Sequence, residues 1–217
     1  LLDQLATAQV THQHSTQQDE RLAQCKKTRD AAYDTLTQCA TELHTARIQE
    51  ATRLSQAIES HLRALDLPQA RIKLVVNTDK YTSSGNSVIS IQASLNRGQP
   101  LQPVSDSASG GELSRIMLAI MCANLDQPPY PMTVIFDEID AGIGGLTGHA
   151  VGQKLARVAS HHQVICVTHL AQVAQQAQQH FFIQKTLENT AIHWQLLALS
   201  DAARKKEYNR MIGGSQT

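Results

Sequence analysis

The sequence has no long apolar run, no surplus of either charge, no closely spaced cysteines, and neither glycine nor proline from Leu1 to Leu65. No stretch approaches the roughly 18 apolar residues of a membrane span, and the N-terminus lacks the charged-then-apolar order of a signal peptide. Basic and acidic residues balance at 19 each within a chain that is 41% hydrophobic and 18% charged. Neither wholesale disorder nor a strongly basic nucleic-acid surface can be read from that composition, and direct DNA binding gains no support from net charge. Cys25, Cys39, Cys122 and Cys166 lie far apart with no CxxC pair, which excludes a zinc ribbon, a redox motif or a disulfide framework and suits a reducing cytoplasm. The 217 residues allow one good core plus an appendage. The sequence begins at Leu1 without a methionine and stops soon after Gly213-Gly214, which reads as a segment of a longer protein.

What is present divides at Pro68. The Ala, Gln, Thr, Leu and Glu of residues 1–65 predict one or two long helices. Positions 22, 25, 29, 32, 36, 39, 43 and 46 read Leu, Cys, Arg, Ala, Leu, Cys, Leu, Ala, a coiled-coil seam violated at Arg29. A surface helix of an ordinary bundle is the alternative. Leu54, Ile58, Leu62 and Leu65 continue an apolar stripe better suited to packing on a globular domain. After Pro68, residues 71–76 and 87–93 read as strands around the turn residues 82–86, which predicts a β-hairpin. A polar stretch from Asn96 to Ser109 leads to a helix from Glu112 to about Asn124, then Pro128-Pro129 and the apolar strand 133–136. A helix at about 146–159, a strand at 164–167, a short helix after His169, strands near 181–185 and 191–198, and a helix at about 201–211 follow. Two nearly continuous apolar strands joined by a helical crossover predict an α/β fold with a mostly parallel sheet and flanking helices. Ligands of such sheets gather at the carboxyl ends of the strands. Those ends hold Asp137-Glu138 and Thr168-His169.

Three constellations carry chemistry. Phe136-Asp137-Glu138 closes an apolar strand, where one acid can hold a hydrated magnesium ion and the next can polarise an attacking water. Two acids at a strand terminus are also common without any such role. Ser107-Ala108-Ser109-Gly110-Gly111-Glu112-Leu113-Ser114 places glycines where a helix starts, an anion cradle at a positive helix end. A glycine loop with Ser109 serving only as N-cap is the plainer reading of that segment alone. His169 ends the second apolar strand, and its place beside the acidic strand favours chemistry over a structural role.

Together, SGGE, a strand ending in DE, a glycine-rich loop and a strand ending in TH follow the order of the second lobe of ABC-type ATPases. Ser109-Gly110-Gly111-Glu112 resembles the ABC signature, with Glu where transporters usually have Gln. Residues 133–138 resemble the Walker B strand, Asp140-Ala141-Gly142 falls at the D-loop, and His169 matches the switch histidine. The wording SASGGELSRIMLAI, VIFDEIDAGIGG, CVTHLAQVA and RMIGG resembles the RecN family of SMC-like, ABC-type DNA-repair ATPases over about residues 60–214, and the arm resembles it only by type. A P-loop, GxxxxGK then Ser or Thr, is missing, since no Gly-Lys pair occurs in the chain.

The resemblance implies residues 1–65 as one strand of an antiparallel coiled-coil arm and residues 66–217 as the C-terminal lobe of the head. It implies ATP and Mg2+ as cofactors of the complete head, with Asp137 holding magnesium through water, Glu138 as the catalytic base and His169 touching the γ-phosphate. Ser109, Gly110, Gly111 and Glu112, with Asp140 and Gly142, would form the nucleotide-facing set. The signature residues would cover ATP bound to the opposite subunit, and Asp140 would connect the two sites. Implied partners are the N-terminal P-loop lobe of the same protein, a second head in an ATP-dependent homodimer, and DNA. The implied activity is ATP hydrolysis in recombinational repair of double-strand breaks, in the bacterial cytoplasm at the nucleoid, with this segment inactive alone. A head of another SMC-like chromosome-maintenance ATPase, a transporter subunit and a non-enzymatic assembly module are the competing readings. Arg115 could pair with Glu112 or support the ribose side.

Other features read as structural. His12 and His14 face different directions on a helix, His161-His162 lies in a turn and Trp194 sits in a strand. Arg204-Lys205-Lys206 could touch DNA phosphate but reads more simply as a solvated face.

Overall fold

The structure is a computed structural model that describes residues 2–125, 130–188 and 191–213, without the side chains of 2–11, 13, 187, 188 and 191. Pro128-Pro129 and Gly214 lie outside the described residues. A helix α1 (Leu2–Arg63) is followed by strands β1 (Arg71–Thr82), β2 (Gly85–Ser94) and β3 (Gln102–Pro103). Next come helices α2 (Val104–Ser107) and α3 (Gly110–Ala123), strand β4 (Thr133–Phe136), helix α4 (Gly145–Ala159) and strand β5 (Gln163–Cys166). The short helix α5 (Ala171–Ala174), strands β6 (Phe181–Glu188) and β7 (Ala191–Ala198), and helix α6 (Asp201–Met211) complete the order.

The chain forms two compact units, residues 1–50 with 76–89, and residues 51–75 with 90–217. In the first, the tip of the β1–β2 hairpin packs on α1. His44 Nδ1 lies 2.9 Å from Ser87 Oγ, Arg47 donates to the Ser84 carbonyl at 2.7 Å, and Tyr33 meets Tyr81 edge-on. Gly85 has φ +95°, and a Cβ there would stand 2.9 Å from Leu43 Cδ2. Both the left-handed backbone and the close approach require glycine. The strands run longer than their apolar cores predict, with only Ser83 and Ser84 between them, because backbone pairing carries the hairpin through polar residues. Seam residues Leu22, Leu36 and Leu43 stay exposed.

In the second unit the apolar stripe of α1 finds its partner surface, with Ile58, Leu62 and Leu65 fully buried. They join Ile116 and Leu118 of α3, Phe136 of β4, and Val151 and Val158 of α4 in one core. Polar atoms of α1 also meet the β1 backbone: Leu74 N–H donates to Ser55 Oγ and Ile72 N–H to Glu59 Oε1. The polar stretch 96–109 contains β3 and α2. β3 exists through its antiparallel register with β2, Gln92 opposite Pro103 and Ala93 opposite Gln102, a non-local pairing that local composition does not announce.

β4 and β5 pair in parallel, Thr133 opposite Gln163 through Phe136 opposite Cys166, on either side of the α4 crossover. Among the described residues this is the whole parallel sheet, narrower than the mostly parallel sheet that the pattern predicts, since β6 and β7 form a separate antiparallel hairpin. Phe136 is buried, while Ile135 (67% exposed), Ile165 and Val167 face outward. On the β6–β7 hairpin, Ile183, Trp194 and Leu196 are likewise exposed, with Lys185 Nζ 5.3 Å from the Trp194 ring centroid.

Gly145, Gly148 and Gly152 line the side of α4 that receives Leu170 and α5. A Cβ on Gly152 would stand 3.0 Å from the Gln172 carbonyl oxygen and 3.2 Å from Val173 Cα, both backbone atoms. Gly152→Val is expected to lower unfolding stability by about 1–3 kcal/mol through overpacking. Urea denaturation measures it, and an unchanged midpoint would mean that α5 can move aside freely.

Candidate functional site

Ser109 is the N-cap of α3 and forms a capping box with Glu112. Glu112 Oε2 accepts both the Ser109 N–H and its hydroxyl, each at 2.8 Å, and Glu112 N–H donates back to Ser109 Oγ at 3.4 Å. This reciprocal arrangement satisfies two otherwise orphaned amides and fixes the start of the helix. The next two amides, of Gly110 and Gly111, have no acceptor among the described residues and sit at the positive end of a 14-residue helix. They can receive an anion. Ser109 thus serves as cap, and the Glu112 carboxylate is occupied by the cap.

The chain end of β4 turns back onto that helix start. Ser114 hydroxyl donates to the Asp137 carbonyl at 2.9 Å, and Arg115, buried, donates from Nη1 to the carbonyls of Ala141 (3.0 Å) and Ile139 (3.3 Å). Arg115 therefore clamps the loop after β4. Among the described residues Arg115 makes no ion pair with Glu112. Burial lowers its pKa from the ordinary arginine value, with Glu112 and Asp66 acting in the opposite sense. Glu138 adopts φ +56°, a left-handed conformation that costs a non-glycine residue about 1–2 kcal/mol. Its amide donates to Asp137 Oδ1 at 2.9 Å and its carbonyl accepts from Ala141 N–H at 3.0 Å, which hold the turn. The side chain reaches the α3 cradle: a Cβ on Gly110 would stand 2.7 Å from Glu138 Oε2, and one on Gly111 2.9 Å from the Glu138 carbonyl oxygen. The signature glycines and the acid therefore stand side by side within one chain.

Asp140 is 3% exposed and binds the strand ends together. Its Oδ2 accepts the Thr168 hydroxyl at 2.6 Å, the His169 amide at 2.8 Å and the Leu170 amide at 3.3 Å, and stands 3.0 Å from His169 Nδ1. The His169 ring is otherwise largely open to solvent, fixed at Nδ1 and with no partner at Nε2 among the described residues. Asp140 is turned inward. Its hydroxyl and amide partners were not legible in the sequence beyond the Thr168-His169 pair itself. Gly142 has φ +74° with open space where a side chain would stand, so it serves the backbone turn. Cys166 lies behind this loop, and burial, then Asp140 and Asp137, push its thiol up to about 12, so it remains an uncharged thiol.

Asp137 is exposed and offers a carboxylate with one oxygen engaged by a backbone amide. Among the described residues no three His, Cys, Asp or Glu side chains converge as a metal-ligand set. A single such carboxylate suits a hydrated magnesium ion whose other contacts come from phosphate and water.

The chain is 37% identical to "DNA repair protein RecN" of Vibrio cholerae over 91% of its own length and 36% of that protein. The proteins of that name from Haemophilus influenzae and Deinococcus radiodurans are each 38% identical, over 85% and 86% of the chain and 33% of each relative. Over most of its own length the chain is similar to RecN proteins. It spans about a third of the length of these RecN relatives. No protein-family model matches it. Among solved structures, the Smc head with an extended coiled coil from Pyrococcus furiosus superposes with a TM-score of 0.53 at 19% identity, covering 83% of this chain and 44% of that one. The Smc head with coiled coil and joint from Pyrococcus yayanosii gives 0.52 at 20%, covering 76% and 30%. At these identities they show the fold alone, an SMC-head-like α/β fold.

Proposed function

We propose that the chain is the C-terminal lobe of a RecN-type ATPase head, residues 66–217, preceded by one strand of an antiparallel coiled-coil arm, residues 1–65. The observation that carries this reading is the meeting of three elements at one end of the second unit. The unsatisfied Gly110 and Gly111 amides, the Asp137-Glu138 pair after β4 and His169 after β5 stand on loops tied together by Asp140, Ser114 and Arg115. In the complete head Asp137 would hold Mg2+ through water, Glu138 would accept a proton from the attacking water, and His169 would contact the γ-phosphate. The Gly110 and Gly111 amides would take phosphate oxygens of ATP carried by a second head, and that shared contact would hold two heads together.

The exposed apolar faces of β4–β5 and β6–β7 fit a lobe completed by another layer, here the P-loop lobe of the same protein. The exposed seam of α1 fits a second helix in the same way. DNA as partner, recombinational repair as process and the cytoplasm at the nucleoid as place follow from the RecN relationship. Among the described residues no helix is long and apolar enough to cross a membrane.

Because the P-loop amides and lysine supply most of a nucleotide's phosphate cradle, this chain alone is expected to show no more than weak ATP binding in calorimetry. Adding the P-loop lobe should bring binding. Micromolar affinity of the chain alone would sink the shared-site reading.

A further inference from the structure

Although the chain is neutral overall, no acidic side chain occurs between Asp140 and Glu188, a span that holds Lys154, Arg157 and Lys185. Such segregation leaves a cationic surface that net charge conceals. Lys154 and Arg157 lie one turn apart on α4 and so share a face. From α1, His61 joins them: Lys154 Nζ donates to His61 Nδ1 at 2.9 Å. This requires a neutral imidazole with its proton on Nε2. Burial first, then Lys154 and Arg157, hold the His61 pKa below its ordinary value. Neither Lys154 nor Arg157 has an ion-pair partner among the described residues. Glu59, two residues from His61, gives its Oε1 to the Ile72 amide. The Cys122 thiol near the two cations is held neutral by burial, which raises its pKa. Gathered cations without a counter-charge repel one another, and an arriving anion relieves that repulsion.

We propose that Lys154 and Arg157 of α4, with His61 of α1, form a phosphate-binding patch for the backbone of duplex DNA. Lysine supplies a point charge, arginine a two-pronged donor and His61 an Nε2–H donor. Nothing in the patch reads a base, so binding is independent of sequence. The proposal rests on DNA as the partner and moves its surface away from α6. There, Arg204 is already committed to the carbonyls of Ala177 and Gln178 and to Tyr208.

The test is a titration of a labelled duplex oligonucleotide with this chain, followed by fluorescence anisotropy at several salt concentrations. Lys154→Ala with Arg157→Ala is expected to weaken binding about tenfold near 0.1 M salt and to make the slope of log K against log salt shallower by about two. Arg157→Glu, at an exposed position, should weaken binding with an unchanged unfolding midpoint, and Lys205→Ala with Lys206→Ala should alter neither affinity nor slope. Inorganic phosphate at matched ionic strength should not displace the duplex, and displacement would reassign the patch to free phosphate. Unaltered affinity and slope in the Lys154/Arg157 variant, or loss confined to the Lys205/Lys206 variant, would overturn the patch while leaving DNA as partner. Absence of any duplex binding by the unsubstituted chain would overturn both.

Discussion

Glu138→Gln in the complete head is expected to slow ATP hydrolysis by about 10²- to 10⁴-fold while ATP binding survives. The amide keeps the shape and reach of the acid but cannot take a proton from water. Its backbone should tolerate the change, since the Glu138 turn is held by main-chain bonds to Asp137 Oδ1 and Ala141 N–H. Unhydrolysed ATP should then hold two heads together, so the variant should accumulate as an ATP-dependent dimer. Turnover and sedimentation on one preparation measure both effects, with Asp137→Asn as a control expected to weaken the magnesium site. Hydrolysis at the unsubstituted rate would show that Glu138 is not the base.

Asp140→Ala should produce the largest loss of stability among single substitutions at the site. One buried carboxylate oxygen accepts the Thr168 hydroxyl and the His169 and Leu170 amides. Removing it leaves these donors without their shared acceptor, at a cost of about 3 kcal/mol or more. Asp140→Asn keeps one acceptor oxygen without the charge and should lose less. The two variants separate a structural role from a role across a dimer. Urea unfolding should rank them Ala below Asn below the unsubstituted chain. A destabilisation under about 1 kcal/mol for Asp140→Ala would show that the loop is held by Arg115 and Ser114 instead.

Much of the fold follows from local rules. Residues 1–65 lack helix breakers, so α1 runs unbroken to Arg63, and Leu54 to Leu65 repeat at helical spacing, so that end of the helix is buried. The apolar strands at β4 and β5 read directly because each is short, continuous and bounded by polar turns. The motif residues were legible for a different reason. Glycine at a helix start and acids at a strand end are residue types whose physical uses are few, and their order along the chain narrowed the family before any contact was known.

Tertiary structure decided what depends on partners distant in sequence. β3 required its register with β2, and the sheet order required knowing which strands meet. Arg115 had two open roles in the sequence, and neither included the clamp on the Ile139 and Ala141 carbonyls that the packed chain makes. Asp140 has a place in the D-loop wording of the sequence, but its tie to Thr168, His169 and Leu170 exists only once those residues converge on it. The pairing of His61 with Lys154 likewise joins residues on helices that nothing in the sequence places side by side. Composition and periodicity act through neighbours along the chain, so they fix elements and motifs. Hydrogen bonds to buried charges act through space, and only the packed chain settles them.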